Sequence, residues 1–351
     1  MTGIVPQRFE TVLSSMCTEP HPTAVAAAEQ FLASNAGDPA TYQAVAALEE
    51  TAVALLAEIT NAPAPAGYIT SGGTEANIQA MRAARDRHPR GGSTIVIGSH
   101  AHFSFHKAAA VLGMRCEVVP TGADHRADPD AVAAHVDADT AAVVAVGGST
   151  TFGRIDPIRA LTEIAHDAGA LCHLDAAWGG FYLPFTDAEW DFATTGVDSM
   201  TIDPHKAGRS VIPSGGLLFA DPTAAAPLRV ETPYLASADQ YSLTGTRSGA
   251  GVAAAAAVMQ TLWPDGYATE YTRAMALAER VATACRERGF ATPEVELPLV
   301  ATQLPEGVLS ELRSAGWRIA ATPGGYARIV VMPHVTEAMV RELLTTLDAV
   351  T

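Results

Sequence analysis

From about residue 68 the chain alternates short, continuously apolar runs with stretches in which apolar residues recur every three or four positions. STIVIG (93–98), CEVVP (116–120), AAVVAVGG (141–148), ALCHLD (170–175), DSMTID (198–203) and GGLLFAD (215–221) predict short strands buried on both faces. EANIQAMRAARDR (75–87), with Thr74 as its N-cap, and PIRALTEIAHDAG (157–169) predict helices between them. Strands that alternate with helices predict an α/β domain whose mainly parallel sheet is covered by helices on both faces.

The pattern shifts at Pro264-Asp265-Gly266, where turn residues interrupt it. Beyond the break a long helix (268–288), a strand (295–302), a helix (306–315), the run GYARIVVMP (325–333) and a last helix (336–349) predict a small α/β domain. The first sixty residues hold two helical patterns and the turn NAGDP (35–39). The expected division is a helical arm over 1–60, a large domain over 61–263 and a small domain over 264–351. The most apolar stretch, GVAAAAAVMQTLW (251–263), is too short to cross a bilayer and predicts a buried helix. MTGIVPQRFETVLSS has no apolar signal core, so export is not expected.

Composition narrows the function classes. With 48% apolar and 17% charged residues over 351 positions, the chain is globular. A net charge of −16 and the lack of any basic run of five residues argue against a nucleic-acid partner. Only two of the 22 basic residues are lysine. GC-rich coding accounts for a preference for Arg and Ala over Lys, but not for the excess of acids, which suits a surface kept solvated in concentrated salt. Cys17, Cys116, Cys172 and Cys285 are scattered and form no CxxC pair, so reduced thiols in a cytoplasmic protein are expected and a thiolate zinc site is not.

The scarcity of lysine gives the first chemical lead. Lys206, in TIDPHKAGRS, stands just past a predicted strand, and a chain that has lost lysine from its surface keeps those that chemistry needs. Asp175 ends another strand, in HLDAAWGGF, where a carboxylate is either a helix N-cap or a site residue at the sheet's carboxyl edge. Ser71-Gly72-Gly73-Thr74 leads into a helix, whose exposed N–H groups and dipole suit a phosphate. It is neither GxGxxG nor a P-loop, and taken alone it is better explained as an ordinary strand-to-helix turn. A phosphate turn, an acid and an amine together fit pyridoxal phosphate. His100, His102 and His106 in SHAHFSFH allow a metal pair on one helix face, capping or core roles, or, for His102, stacking on a cofactor ring.

In order and spacing, TSGGTEAN, SHAHFSFHKAA, HLDAAWGGF, SMTIDPHK and TPYLASADQYSLTGTRSGA resemble the group II pyridoxal-phosphate-dependent amino acid decarboxylases. The archaeal L-tyrosine/L-aspartate decarboxylase family is the nearest likeness, from SMCTEPHP (15–22) to RIVVMPHVT (328–336). The resemblance implies a fold type I pyridoxal-phosphate transferase-like architecture. It implies that Lys206 holds the cofactor covalently and that Asp175 pairs with the ring nitrogen. Ala177 and His102 would face opposite sides of the ring, Gly73, Thr74 and His205 would bind the phosphate, and Thr150 would contact the ring substituents. Ser149 replaces the first Thr of the usual GTT and keeps a hydroxyl. Asp203 is expected to be structural, since an anion beside a phosphate is repelled. Tyr234 is the expected proton donor, with Tyr241 in reserve, and Arg247 and Arg328 are the candidate holders of a substrate carboxylate.

The implied enzyme is a homodimer with sites at its interface, completed in part by segment 15–39, acting on a small amino acid without membrane, nucleic acid or metal. Aspartate giving β-alanine for coenzyme A is favoured over tyrosine giving tyramine for methanofuran, because aromatics are sparse at 6% and an acidic surface suits a salt-loving archaeon. A pyridoxal-phosphate carbon–carbon lyase, a desulfurase using Cys17, a cofactor-binding scaffold and a zinc hydrolase are the competing classes.

Overall fold

The computed structural model of the chain describes residues 8–89, 91–322 and 324–351. The first seven residues of the stretch read for a signal core lie outside them. The chain forms two compact units: one of Pro20–Thr150 with Arg154–Tyr267, the other of Met1–Glu19, Thr151–Gly153 and Ala268–Thr351. The first sixty residues, expected as a single arm, are therefore divided at Glu19 and Pro20.

In the large unit the strands are β1 (Ala66–Thr70), β2 (Thr94–Gly98), β3 (Arg115–Val119), β4 (Thr140–Val146), β5 (Leu171–Asp175), β6 (Ser199–Ile202) and β7 (Gly215–Phe219). They form one seven-stranded sheet in the order β1-β7-β6-β5-β4-β2-β3. β2 to β6 pair in parallel, while β7 runs antiparallel to both of its neighbours. The reversal follows from the connection after β6, which holds no helix; a parallel return needs a crossover, usually a helical one. β4, TAAVVAV, is buried at every position, as a strand covered on both faces must be.

The helices of this unit are α1 (Pro22–Gln30), α2 (Gln43–Ile59), α3 (Gly73–Arg87), α4 (Ser104–Leu112), α5 (Pro129–Ala133), α6 (Ile158–Asp167), α7 (Phe192–Thr195) and α8 (Gly249–Leu262). α3 lays a face of small residues, Ala76, Ala80 and Ala84, into a core shared with Ile95, Ile97, Phe105, Val144 and Leu217. Small side chains let the helix approach the sheet closely, which matters for the polar groups it carries there. α1 and α2 pack on α8. A two-residue-strand hairpin, β8 (Val230–Glu231) with β9 (Asp239–Gln240), precedes α8.

The second unit has a three-stranded antiparallel sheet, β10 (Leu299–Thr302), β12 (Ala327–Val330) and β11 (Ala320–Ala321) in that order, with α10 (Glu306–Ser314) and α11 (Glu337–Val350). The long helix α9 (Asp265–Glu287) contributes Leu277, Ala278, Val281 and Cys285 to its core beside Val300, Ile329, Val340 and Leu343. Among the described residues no helix is long and apolar enough to cross a membrane.

Candidate active site

Parallel strands expose their carboxyl ends along one edge of the sheet, and the residues predicted to hold the cofactor lie along it. Asp175 is the last residue of β5 and pairs in register with Thr201 of β6. Asp203, His205 and Lys206 follow directly on β6. Gly73 and Thr74 open α3 after β1, and Thr150 lies four residues past the end of β4.

The two lysines have separate fates. Lys107 is exposed, with Nζ 4.9 Å from the ring centre of Phe103. Lys206 is 19% exposed, and its Nζ stands 3.2 Å from Asp203 Oδ2. The same oxygen accepts from the Gly73 N–H at 3.0 Å and lies 3.7 Å from His205 Nε2. Asp203, expected to be structural, thus sits at the start of α3 in contact with the lysine, which neutralises it. His205 is oriented through Nδ1, which lies 2.6 Å from the Ser214 carbonyl oxygen and 3.2 Å from the Ser214 backbone nitrogen.

Asp175 is buried, with one oxygen accepting from Asn77 Nδ2 at 2.9 Å and the other from the Ala177 N–H at 3.1 Å. Both donors are uncharged, and among the described residues no cation forms an ion pair with this carboxylate. A buried anion held only by neutral dipoles is well placed to receive a cationic partner. His102 is half-buried; burial lowers its pKa below the ordinary imidazole value, Asp175 and Asp203 oppose this, and Lys206 and Lys107 add to it.

Other expected residues stand apart from this cluster. Arg247 was expected to hold a substrate carboxylate. Its guanidinium is instead buried and committed to Glu49 by two hydrogen bonds of 2.5 and 2.9 Å, with further bonds to the Ile69 and Ala36 carbonyls. Tyr234 lies in the turn of the β8–β9 hairpin and is 86% exposed. Tyr241 is partly exposed under the Arg229 guanidinium. In the smaller unit Arg328 donates to the Ser14 carbonyl at 2.7 Å and has no carboxylate partner among the described residues. His100 is paired with Asp156 at 3.0 Å, a structural use, and His106 is exposed. Among the described residues no group of three or more His, Cys, Asp or Glu is arranged to hold a metal ion.

A family model described as the pyridoxal-dependent decarboxylase conserved domain matches residues 27–304. The chain belongs to this family. The probable L-aspartate decarboxylase of Haloarcula marismortui is 54% identical to it, over 98% of each chain. The probable L-tyrosine/L-aspartate decarboxylase of Methanoculleus marisnigri is 40% identical, covering 96% of this chain and 91% of the relative. A Burkholderia pseudomallei sphingosine-1-phosphate lyase shares the fold with a TM-score of 0.89 at 24% identity, over 97% of this chain and 85% of that one.

The residues of this pyridoxal-dependent decarboxylase fit pyridoxal phosphate. The N-cap of α3, Gly72, brings no side chain to the helix start, where the Gly73 N–H is already held by an anionic oxygen, that of Asp203. A Cβ at Gly73 would meet Asp203 Oδ2 at 2.9 Å and Ala177 Cβ at 3.2 Å, and one at Gly72, where φ is +146°, would meet His205 at 3.2 Å. Only glycine lets the backbone come this close. The decarboxylase also contains polar residues that sequence reasoning missed: Asn77, Ser104, His173 and Thr201. A signal existed for two of them. His173 and Asp175 alternate on one face of β5, as do Ser199, Thr201 and Asp203 along β6, and polar residues two apart in apolar strands mark one polar face.

Proposed function

We propose that the enzyme removes the α-carboxylate of L-aspartate to give β-alanine, which feeds coenzyme A synthesis, as a cytoplasmic homodimer in a salt-loving archaeal cell. The observation that carries the catalytic part is the contact set Lys206–Asp203–Gly73, together with a buried Asp175 that has no cationic partner among the described residues. For the substrate, support comes from the name of the Haloarcula relative, from sparse aromatics and from the net charge of −16.

When bound, pyridoxal phosphate supplies an electron sink for the pair left behind as CO₂ departs. Lys206 would hold the cofactor through Nζ, and its contact with Asp203 orients the amine beforehand. Asp175 would keep a proton on the pyridine nitrogen, because a buried carboxylate stabilises an adjacent cation. Ala177 and His102 would line the two faces of the ring, Thr150 would meet its substituents, and Gly73, Thr74 and His205 would bind the phosphate. Arg328 would hold a substrate carboxylate, a role supported by its having no acidic partner among the described residues. Arg247 keeps a structural role, and Tyr234 returns a proton to Cα from its exposed hairpin. Orienting the bond to be broken is positioning work, which sets decarboxylation apart from competing outcomes.

The test is to incubate the purified enzyme with pyridoxal phosphate and aspartate, tyrosine or glutamate in turn, and to quantify the amine formed. β-Alanine from aspartate alone is expected; tyramine from tyrosine alone would overturn the substrate assignment. Borohydride reduction followed by peptide mapping should place a pyridoxyl group on Lys206, and a label on Lys107 or none would overturn the catalytic assignment.

A further inference from the structure

Asn77 lies on the sheet-facing side of α3 and is 1% exposed. Its Nδ2 donates to Asp175 Oδ2 and to Ser104 Oγ, both at 2.9 Å. Its Oδ1 accepts from Thr201 Oγ1 at 2.7 Å and faces His173 Nε2 at 3.0 Å. An amide has two N–H donors and one oxygen with two lone pairs, so its capacity is full. A flipped amide would set its oxygen against the acceptor-only Asp175 carboxylate, a clash that no rotation of Ser104 or tautomer of His173 relieves. Asp175 therefore fixes which way Asn77 points.

The remaining hydrogens follow in sequence. Burial lowers the His173 pKa to about 4, so the ring is neutral at neutral pH. Nε2 carries its hydrogen toward Asn77, and Nδ1 accepts from Ser199 Oγ at 2.8 Å. Ser104 Oγ already receives a hydrogen from Asn77, and its own single hydrogen is directed to His102 Nδ1 at 2.9 Å. The Ser104 backbone N–H approaches the same nitrogen at 3.3 Å. Two donors converging on Nδ1 require a lone pair there, which leaves the hydrogen of a neutral imidazole on Nε2.

We propose that Asn77 and Ser104 are positioning residues that hold His102 as the neutral imidazole with its hydrogen on Nε2, so that its free nitrogen is a hydrogen-bond donor and not a base. The chain Asp175–Asn77–Ser104–His102 ties this choice to the ionised carboxylate. It also couples the group assigned to the cofactor nitrogen with the group assigned to a ring face. That use in the reaction rests on the function proposed above; the tautomer does not. Charging His102 would put a proton on Nδ1 and break both bonds from Ser104. The charged groups acting on the ring are Asp175 and Asp203, which favour its protonation, and Lys206 and Lys107, which oppose it.

The test is side-chain nitrogen NMR of the full chain labelled with [15N]histidine, with and without pyridoxal phosphate, His102 being assigned by loss of its signal in His102→Gln. The expected spectrum at neutral pH shows Nε2 protonated and Nδ1 bare in both states. In Ser104→Ala the midpoint of His102 protonation should rise by roughly one pH unit, a tenfold change and the worth of one hydrogen bond. The acid limb of the kcat/KM profile should move with it, and Ser104→Thr should restore both. A wild-type His102 that carries its hydrogen on Nδ1, or is charged at neutral pH, overturns the proposal. So does a Ser104→Ala titration that does not move. If that variant fails to fold, the wild-type tautomer decides alone. A missing label on Lys206 would count against the proposed function and leave this result standing.

Discussion

Replacing Arg247 by Met separates a structural arginine from one that binds substrate. The guanidinium joins three parts of the large unit, Glu49 on α2, the Ile69 carbonyl on β1 and the Ala36 carbonyl, and Arg247 itself directly precedes Ser248, the N-cap of α8. The ion pair is bidentate, and its side chains are only 11% and 16% exposed, so solvent screens it little. Removing the arginine leaves the Glu49 carboxylate buried with the Ile69 N–H as its remaining partner. Stranding one member of a buried pair costs about 3–5 kcal/mol. At about 2–4 °C per kcal/mol for a unit of this size, Tm should fall by about 6–20 °C. The double variant Glu49→Met/Arg247→Met should lose less than either single variant, since two apolar side chains need no counter-ion. The assays are calorimetric melting of the four proteins and steady-state KM for aspartate. A KM within about twofold of wild type is expected, since the arginine would then hold α2 and α8 and not substrate. An unchanged Tm with a KM raised about tenfold, the worth of ~1.4 kcal/mol of binding, would instead place Arg247 on the substrate.

Three further outcomes follow from the same geometry. Asp175→Asn should lower kcat for β-alanine release at saturating cofactor by at least ~100-fold, equivalent to about 3 kcal/mol of lost charge stabilisation, with the fold intact by circular dichroism. Gly73→Ala should weaken pyridoxal phosphate binding by ~10-fold or more in equilibrium dialysis, as the added methyl meets Asp203 and Ala177. The folded-state pKa of His173 is depressed to about 4, so the stability gained from keeping it neutral is complete above the ordinary imidazole pKa and is lost as pH falls from about 6.5 toward 4. In urea melts over that window His173→Gln, which keeps a donor toward Asn77 but does not titrate, should lose about 3 kcal/mol less than wild type.

Much of the architecture was legible before any coordinates. The apolar runs became β2 to β7, although β3, at the sheet's edge, is largely exposed and not covered on both faces, and the periodic stretches became α3, α6, α9, α10 and α11. The antiparallel setting of β7 was not legible, since strand direction depends on how the connection after β6 folds back and not on side-chain pattern. Scarcity singled out Lys206 and strand-end position singled out Asp175, and both lie at the carboxyl edge of the sheet. Arg247 misled because a guanidinium suits a buried Glu49 as well as it suits a substrate carboxylate, and a sequence does not say which anion lies nearest.

The amino-acid order by itself determined the alternation of strands and helices, the glycine-bounded entry to α3 and the amine after β6, each a matter of local sterics or of one residue's chemistry. Tertiary structure decided how the polar residues pair. Asn77 meets Asp175 across 98 positions and Thr201 across 124, while Asp203 reaches Gly73 across 130. Hydrogen bonds between residues so far apart exist only once the sheet has set its strand order, and that order arises from packing the whole chain.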